Sequence, residues 1–221
     1  MSILCQVTNS VEAGEQPGTA GRFRGNAGRG AGKRERLVEA ARQVLYEQGV
    51  EKATLADIAA TAEIPLGNVY YYFKSKDALV TAVIDDYQRR YEGLSAGFDQ
   101  HEQPADRLKA LVRALVARRD EQARFGCPVG SLVSELGKQQ DVLRAEAGAI
   151  FAGLIGWAEA QFREMGRDDA RELGVALIAA YEGSILLATA LRDSGLIGTE
   201  GARLERWIDS LAGSDPAAVR S

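Results

Sequence analysis

From Leu37 to Leu211 the apolar residues of this chain recur three and four positions apart, and nowhere do they alternate strictly. That spacing constrains the fold more than any other feature, because helices bury a stripe of period 3.6 and strands a face of period 2. The class it predicts is all-α. Leu37, Ala40, Ala41, Val44 and Leu45 give the first stripe, closed by Gly49 as a C′ residue. Thr54 caps "LADIAATA", with Asp57 completing a partial capping box, and Leu55, Ile58, Ala59 and Ala62 share one face. A turn at Glu63-Ile64 follows, and Pro65 opens the next short helix, where its fixed φ and missing N–H cost nothing. Ser75 caps a long helix from about Lys76 to Gly97, and Pro104 begins another, expected to run to about Gln122. After the break at "RFGCPVG" come a short helix, "SLVSELG", and two long ones, about 141–166 and 168–195. The last helix carries Leu204, Trp207, Ile208 and Leu211, and the tail 214–221 frays.

Composition removes several functions. His101 is the only histidine, which excludes HExxH zinc chemistry, Cys/His fingers and most Ser-His-Asp arrangements. No metal or cofactor is expected. An enzyme is disfavoured for want of paired carboxylates in a cleft or an activated nucleophile. No run of eighteen apolar residues suggests a membrane span, and the first residues lack a secretory pattern. Cys5 and Cys127 lie too far apart in kind and place to suggest a disulfide, so the cytoplasm is the expected compartment. The net charge of −4 is unevenly spread: residues 1–90 hold 12 Lys+Arg against 11 Asp+Glu, and residues 91–221 hold 15 against 20. Residues 1–32, with seven glycines, read as a disordered basic arm. "GRGAGK" is no phosphate loop, since Ala27 and Arg34 stand where glycine and Ser/Thr are required. The arm's arginines, Arg22, Arg24 and Arg29, read as a solvated tail, with entry into a minor groove as the alternative.

Two short helices behind a longer one make a helix-turn-helix, with scaffold helix 55–62 and recognition helix about 65–72. At roughly 100° per residue, Leu66, Val69, Tyr70 and Phe73 fall on one side and Gly67, Asn68, Tyr71 and Tyr72 on the other. The first arc is expected to pack and the second to face outward, with Tyr70 at its edge. An outward face of Gly, Asn and Tyr suits close backbone approach, base pairing by amide and phosphate contact by hydroxyl. An αα corner whose tyrosines merely cover core is the bland alternative.

"TLADIAATAEIPLGNVYYYFKSKDAL", Thr54 to Leu79, resembles the DNA-binding signature of the TetR family of transcriptional regulators. The resemblance covers residues 33–80 well and the remainder in architecture. It implies a helix-turn-helix domain over 33–80 and a helical ligand-binding and dimerisation domain over 81–213. It also implies operator contacts from Thr54, Pro65, Leu66, Gly67, Asn68, Tyr70, Tyr71, Tyr72, Lys74 and Lys76. Two positions depart from the pattern. Glu63 replaces the usual turn glycine, so the turn either avoids positive φ or is strained, and Pro65 replaces the usual serine cap.

The family reading implies a homodimer on a palindromic operator, released by a small hydrophobic effector, with no membrane partner. For the dimer, the helix from Arg171 to Ser194 is apolar round most of its circumference. Leu173, Leu177, Ser184, Leu187, Leu191 and Trp207 are its expected interface, and Gly174, Ala180 and Gly183 would allow close approach; an ordinary core helix is the alternative. "GCPVGSLVSEL" resembles an LmrA/YxaF-like subgroup associated with multidrug or aromatic-compound sensing. The implied pocket takes in Leu111, Leu115, Phe125, Cys127, Leu132, Phe151, Leu154, Trp157 and Tyr181, with Gly148, Gly153 and Gly156 leaving room for a ligand or a crossing helix. Cys127 is read as a small core residue, with redox or electrophile sensing as the alternative, since a thiolate needs a lowered pKa. A helical adaptor without DNA binding is the other class in play.

Overall fold

The computed structural model of the chain describes residues 27–136 and 141–213, with the backbone alone over 27–31. The described residues form ten helices: α1 Ala27–Gln48, α2 Leu55–Thr61, α3 Leu66–Tyr72, α4 Lys76–Phe98, α5 Pro104–Val116, α6 Arg119–Phe125, α7 Pro128–Glu135, α8 Asp141–Glu164, α9 Ala170–Leu191 and α10 Gly195–Ala212. The chain divides after Lys33, and the packing that follows is that of the described residues from Arg34 onward.

The expected stripe of α1 is the core of the first three helices. Leu37, Ala41, Val44 and Leu45 are buried with Ile58 and Ala59 of α2, Val69 of α3 and Phe73 just beyond it. Full burial of a side chain such as Val69 contributes about 1.5–3 kcal/mol. The helix starts earlier than expected, at Ala27 rather than Lys33. Once a packed helix exists, each added residue gains a hydrogen bond without a new nucleus, so it can propagate into glycine-rich sequence. Arg22, Arg24, the rest of 1–26 and the tail 214–221 lie outside the described residues.

Long α4 joins the two halves of the fold. Near its middle Arg90 pairs with Glu39 of α1 at 2.9 Å and with Asp86 of its own turn, and Tyr87 is buried beside them. Burial pushes the Tyr87 phenol up to about 12, with the nearby Arg42 charge opposing that shift. A second bridge comes from the α6–α7 loop: Tyr46 of α1 donates to the Gly126 carbonyl at 2.8 Å, and its ring lies 5.4 Å from that of Phe125.

The helix expected from Pro104 to about Gln122 is broken after Val116, and α6 starts at Arg119. No glycine or proline marks the break, but side chains of α9 accompany it. The Tyr181 hydroxyl lies 3.4 Å from the Leu115 carbonyl, and the Thr189 hydroxyl is shared between the Ile185 carbonyl of its own helix at 2.8 Å and the Gln122 carbonyl at 3.0 Å. The break turns the chain from α10, on which α5 packs, toward α9, on which α6 packs.

α9 packs against α6, α8 and α10 and buries Leu177, Tyr181, Ser184, Ile185 and Ala188. A Cβ at Gly174 would stand 3.0 Å from the Ile155 carbonyl and 3.1 Å from the Glu159 nitrogen, so the close approach it permits is to α8 of the same subunit. α9 is long and apolar enough to meet the length and composition of a membrane span (mean hydropathy 1.7), a test that a core helix also passes, and 39% of that window is buried in the fold.

Candidate functional site

α2 and α3 form the candidate reading head. Thr54 caps α2 as expected: its hydroxyl accepts from the Asp57 N–H at 3.1 Å, and Asp57 accepts in return from the Thr54 N–H at 3.1 Å and hydroxyl at 2.6 Å. The turn carries the strain that its sequence left open. Glu63 has φ 52, in the left-handed region where glycine would sit freely. Arg36 of α1 donates to the Ala62 carbonyl at 2.5 Å and stands 3.9 Å from the Glu63 carboxylate, so a residue absent from the sequence-level site holds the turn. Pro65 is the N-cap of α3 rather than its first helical residue, and it offers no side-chain cap.

The faces of α3 differ from those read by helical angle. Val69 and Phe73 are buried, but Tyr70 is 50% exposed and Leu66 40%, whereas Tyr72 is half-buried against the core. Phe73 is the cause. It is the C-cap, extended at φ −131 and ψ 114, so its side chain does not lie where a continued helix would put it. The buried axis therefore runs between Val69 and Tyr72, and the outward surface is Leu66, Gly67, Tyr70 and Tyr71. Tyr71 is 75% exposed, with its ring edge-on to Tyr72 at 5.0 Å. Asn68 is at the margin, half-buried. A Cβ at Gly67 would meet nothing, so the backbone there is open to a partner.

Cations flank this surface in fixed positions. Lys74 donates to the Tyr70 carbonyl at 2.9 Å, and Lys76 to the Glu51 carbonyl at 3.1 Å. Arg34 lies over the Phe73 ring at 5.2 Å. Ser75 caps α4 through the Ala78 N–H at 3.1 Å. Exposed tyrosines, an open backbone and ordered ammonium groups together suit phosphate and base-edge contact.

The expected ligand residues fall into two clusters, Leu111 and Leu154 with Ile178, and Cys127, Leu132 and Tyr181 in the main core; Leu115, Phe151 and Trp157 pack against both. A Cβ at Gly148, Gly153 or Gly156 would meet nothing within 4 Å, so among the described residues no helix crosses closely there. Phe125 and Cys127 line an open cavity of about 510 Å³ between the α6–α7 loop, α7 and α9. Burial, with the Glu182 carboxylate beside it, pushes the Cys127 thiol up, against the direction a reactive thiolate needs. Glu182, a carboxylate on an apolar helix, was missed in the sequence; burial raises its pKa and a hydrogen bond from Cys127 opposes that rise. Gln122 is buried too, and its Oε1 has no partner among the described residues. No group of His, Cys, Asp and Glu among those residues could hold a metal ion.

The expected interface set divides similarly. Leu177 and Ser184 are buried inside the subunit, Leu173 is half-buried, and Trp207 packs on Phe162 at 5.8 Å. Leu187 and Leu191 are exposed, and Val175, Gly183 and Leu186 complete the exposed arc; Val175 and Leu186 are not in the expected set.

Residues 37–83 match the model of the tetR family of bacterial regulatory proteins, and residues 104–199 match that of the LmrA/YxaF-like transcriptional regulator C-terminal domain. The chain is 33% identical over 164 residues to the HTH-type transcriptional repressor DhaR of Mycobacterium sp., covering 69% of this chain and 80% of that protein. It is 28% identical over 192 residues to the HTH-type transcriptional regulator TtgR of Pseudomonas putida, covering 80% and 88%. Its fold matches that of a TetR regulator from Chloroflexus aurantiacus with a TM-score of 0.73 and 23% identity, over 82% of this chain and 96% of that one. The chain belongs to the TetR family. It is a helix-turn-helix, DNA-binding transcriptional regulator, of a family whose members bind operator DNA and act as dimers.

Proposed function

We propose that this regulator is a cytoplasmic repressor that binds a palindromic operator as a homodimer and is released by a small apolar or aromatic effector. Residues 33–80 are the DNA-binding domain and 81–213 the effector and dimerisation domain. The observation that carries the reading is the outward surface of α3, where Tyr70 and Tyr71 are exposed beside an open Gly67. Leu66, Gly67 and Tyr71 touch the groove; Tyr70, Lys74, Lys76 and Thr54 touch phosphates; Asn68 reads from the margin. Pro65 holds the turn, and Tyr72 acts from beneath by supporting Tyr71. The exposed aliphatic arc of α9 supports pairing of two copies, which sets the spacing of two heads on two half-sites. Effector binding shifts the equilibrium only by its preference for the released spacing.

Footprinting on DNA flanking the protein's own gene tests this. A protected palindrome that disappears with an apolar or aromatic effector is expected; no protected palindrome under any condition would overturn the reading. A salt titration separates it from a protein-binding adaptor, because log affinity for DNA falls linearly with log salt.

A further inference from the structure

The cavity of about 510 Å³ beside α9 has an uneven lining. Its apolar wall comes from Phe125 and Ile185, with Leu186 at the rim that the cavity shares with the exposed arc of α9. Among the described residues its charged groups are two carboxylates, Glu135 and Glu182, with no lysine or arginine in the lining; the Arg124 guanidinium lies over the Phe125 ring at 4.8 Å. The two carboxylates are differently engaged. Glu135 accepts from the Val50 N–H in the α1–α2 turn at 2.5 Å, so its charge is committed. Glu182 meets the Cys127 thiol, a weak donor, and burial disfavours its ionised form. Hydroxyls of Ser131, Ser134 and Thr189 line the same cavity; the Thr189 hydroxyl lies within reach of the carbonyls of Ile185, at 2.8 Å, and Gln122, at 3.0 Å, and the Gln122 side-chain oxygen has no partner among the described residues. The volume suits a small organic molecule. The lining therefore offers acceptors and a carboxylate without a counter-charge among the described residues, next to an aromatic wall.

The same walls hold the reading head. Glu135 grips Val50, and Gly126, which also lines the cavity, receives the Tyr46 hydroxyl at 2.8 Å. Both contacts end on α1 or the turn that leads into α2.

We infer that this cavity binds a small organic cation, with Glu182 as its counter-charge, and that occupancy is passed to the head through the Tyr46–Gly126 and Val50–Glu135 contacts. The inference rests on the reading of the chain as an effector-released regulator and names the chemistry of its effector. A cationic ligand would find in Glu182 a carboxylate facing the cavity, whereas an anionic ligand would meet two carboxylates. A neutral ligand gains only the apolar wall.

Calorimetry on the full chain decides the first part with two probes of one shape, 2-phenylethylammonium and neutral 2-phenylethanol. The cation is expected to bind about tenfold more tightly, the scale of one charge-assisted contact. Glu182→Gln should erase that preference and leave ligand-free operator affinity unchanged. Equal binding of both probes by the unaltered chain overturns the inference, whether or not the variant folds, and so does a preference that survives in Glu182→Gln. For the second part, Tyr46→Phe should bind the cation as before while its operator affinity responds less to it; an undiminished response overturns the relay. Loss of all operator binding without ligand would sink the repressor reading instead, and the calorimetric comparison, which needs no DNA, would still decide the cation site.

Discussion

Two regions of this molecule leave large apolar side chains in water, and they do so differently. On α3 the exposed groups are Leu66, Tyr70 and Tyr71, side by side with lysines. On α9 they are Val175, Leu186, Leu187 and Leu191, with glycine and alanine between them. A tyrosine carries a hydroxyl that water, phosphate or a base can satisfy, so the first surface suits a wet and charged partner. Aliphatic groups gain only by leaving water, so the second suits another apolar surface. The difference assigns DNA to one face and a second copy of the chain to the other.

The assignment is broken most directly at α9. Leu187→Glu places a charge in the proposed interface and is expected to yield a monomer by light scattering. Operator affinity should fall about a hundredfold, the scale of a hot-spot loss of roughly 3 kcal/mol. A dimer of unchanged stability would mean that the aliphatic arc has some other partner. On α3 a pair of substitutions separates surface from support. Tyr72→Ala should lower unfolding stability by about 2 kcal/mol, because that ring is packed against the core. Tyr71→Ala should leave the melting temperature in place and weaken operator binding about tenfold, the cost of one good contact. The reverse outcome would restore the faces first read from helical angle. Smaller still is Tyr70→Phe. Loss of one hydroxyl contact should weaken binding severalfold and alike on operator and random DNA, measured by anisotropy at fixed salt. A loss confined to the operator would move Tyr70 from phosphate to base contact.

The helix-turn-helix was readable because its signals are local. Thr54 and Asp57 cap a helix by chemistry within four residues, and the packing stripe of Leu37, Ala41, Val44 and Leu45 survives intact. What the sequence concealed was direction. A seven-residue helix has two turns, and its buried side was inferred partly from Phe73, which has already left the helix. On α9 nearly every face is apolar, so periodicity could not say which side α6, α8 and α10 would cover. Gly174 settles part of that through a backbone contact with α8 that no pattern announces. Glu182 did carry a signal, a lone acid between Tyr181 and Gly183 in an apolar helix. The break after Val116 had none, since it is accompanied by tertiary contacts from Tyr181 and Thr189.

The left-handed backbone at Glu63 bears on how this chain tolerates change. A side chain there costs about 1 kcal/mol that glycine would not. The 3.9 Å ion pair with Arg36 returns little, because both groups are largely in water. Glu63→Gly should therefore raise the unfolding free energy by about that amount in a denaturant titration and leave the outward surface of α3 untouched. The turn is thus an unspent margin of mutational robustness: one substitution would let the chain carry a harmful change elsewhere, such as a new side chain on the reading head, and still fold.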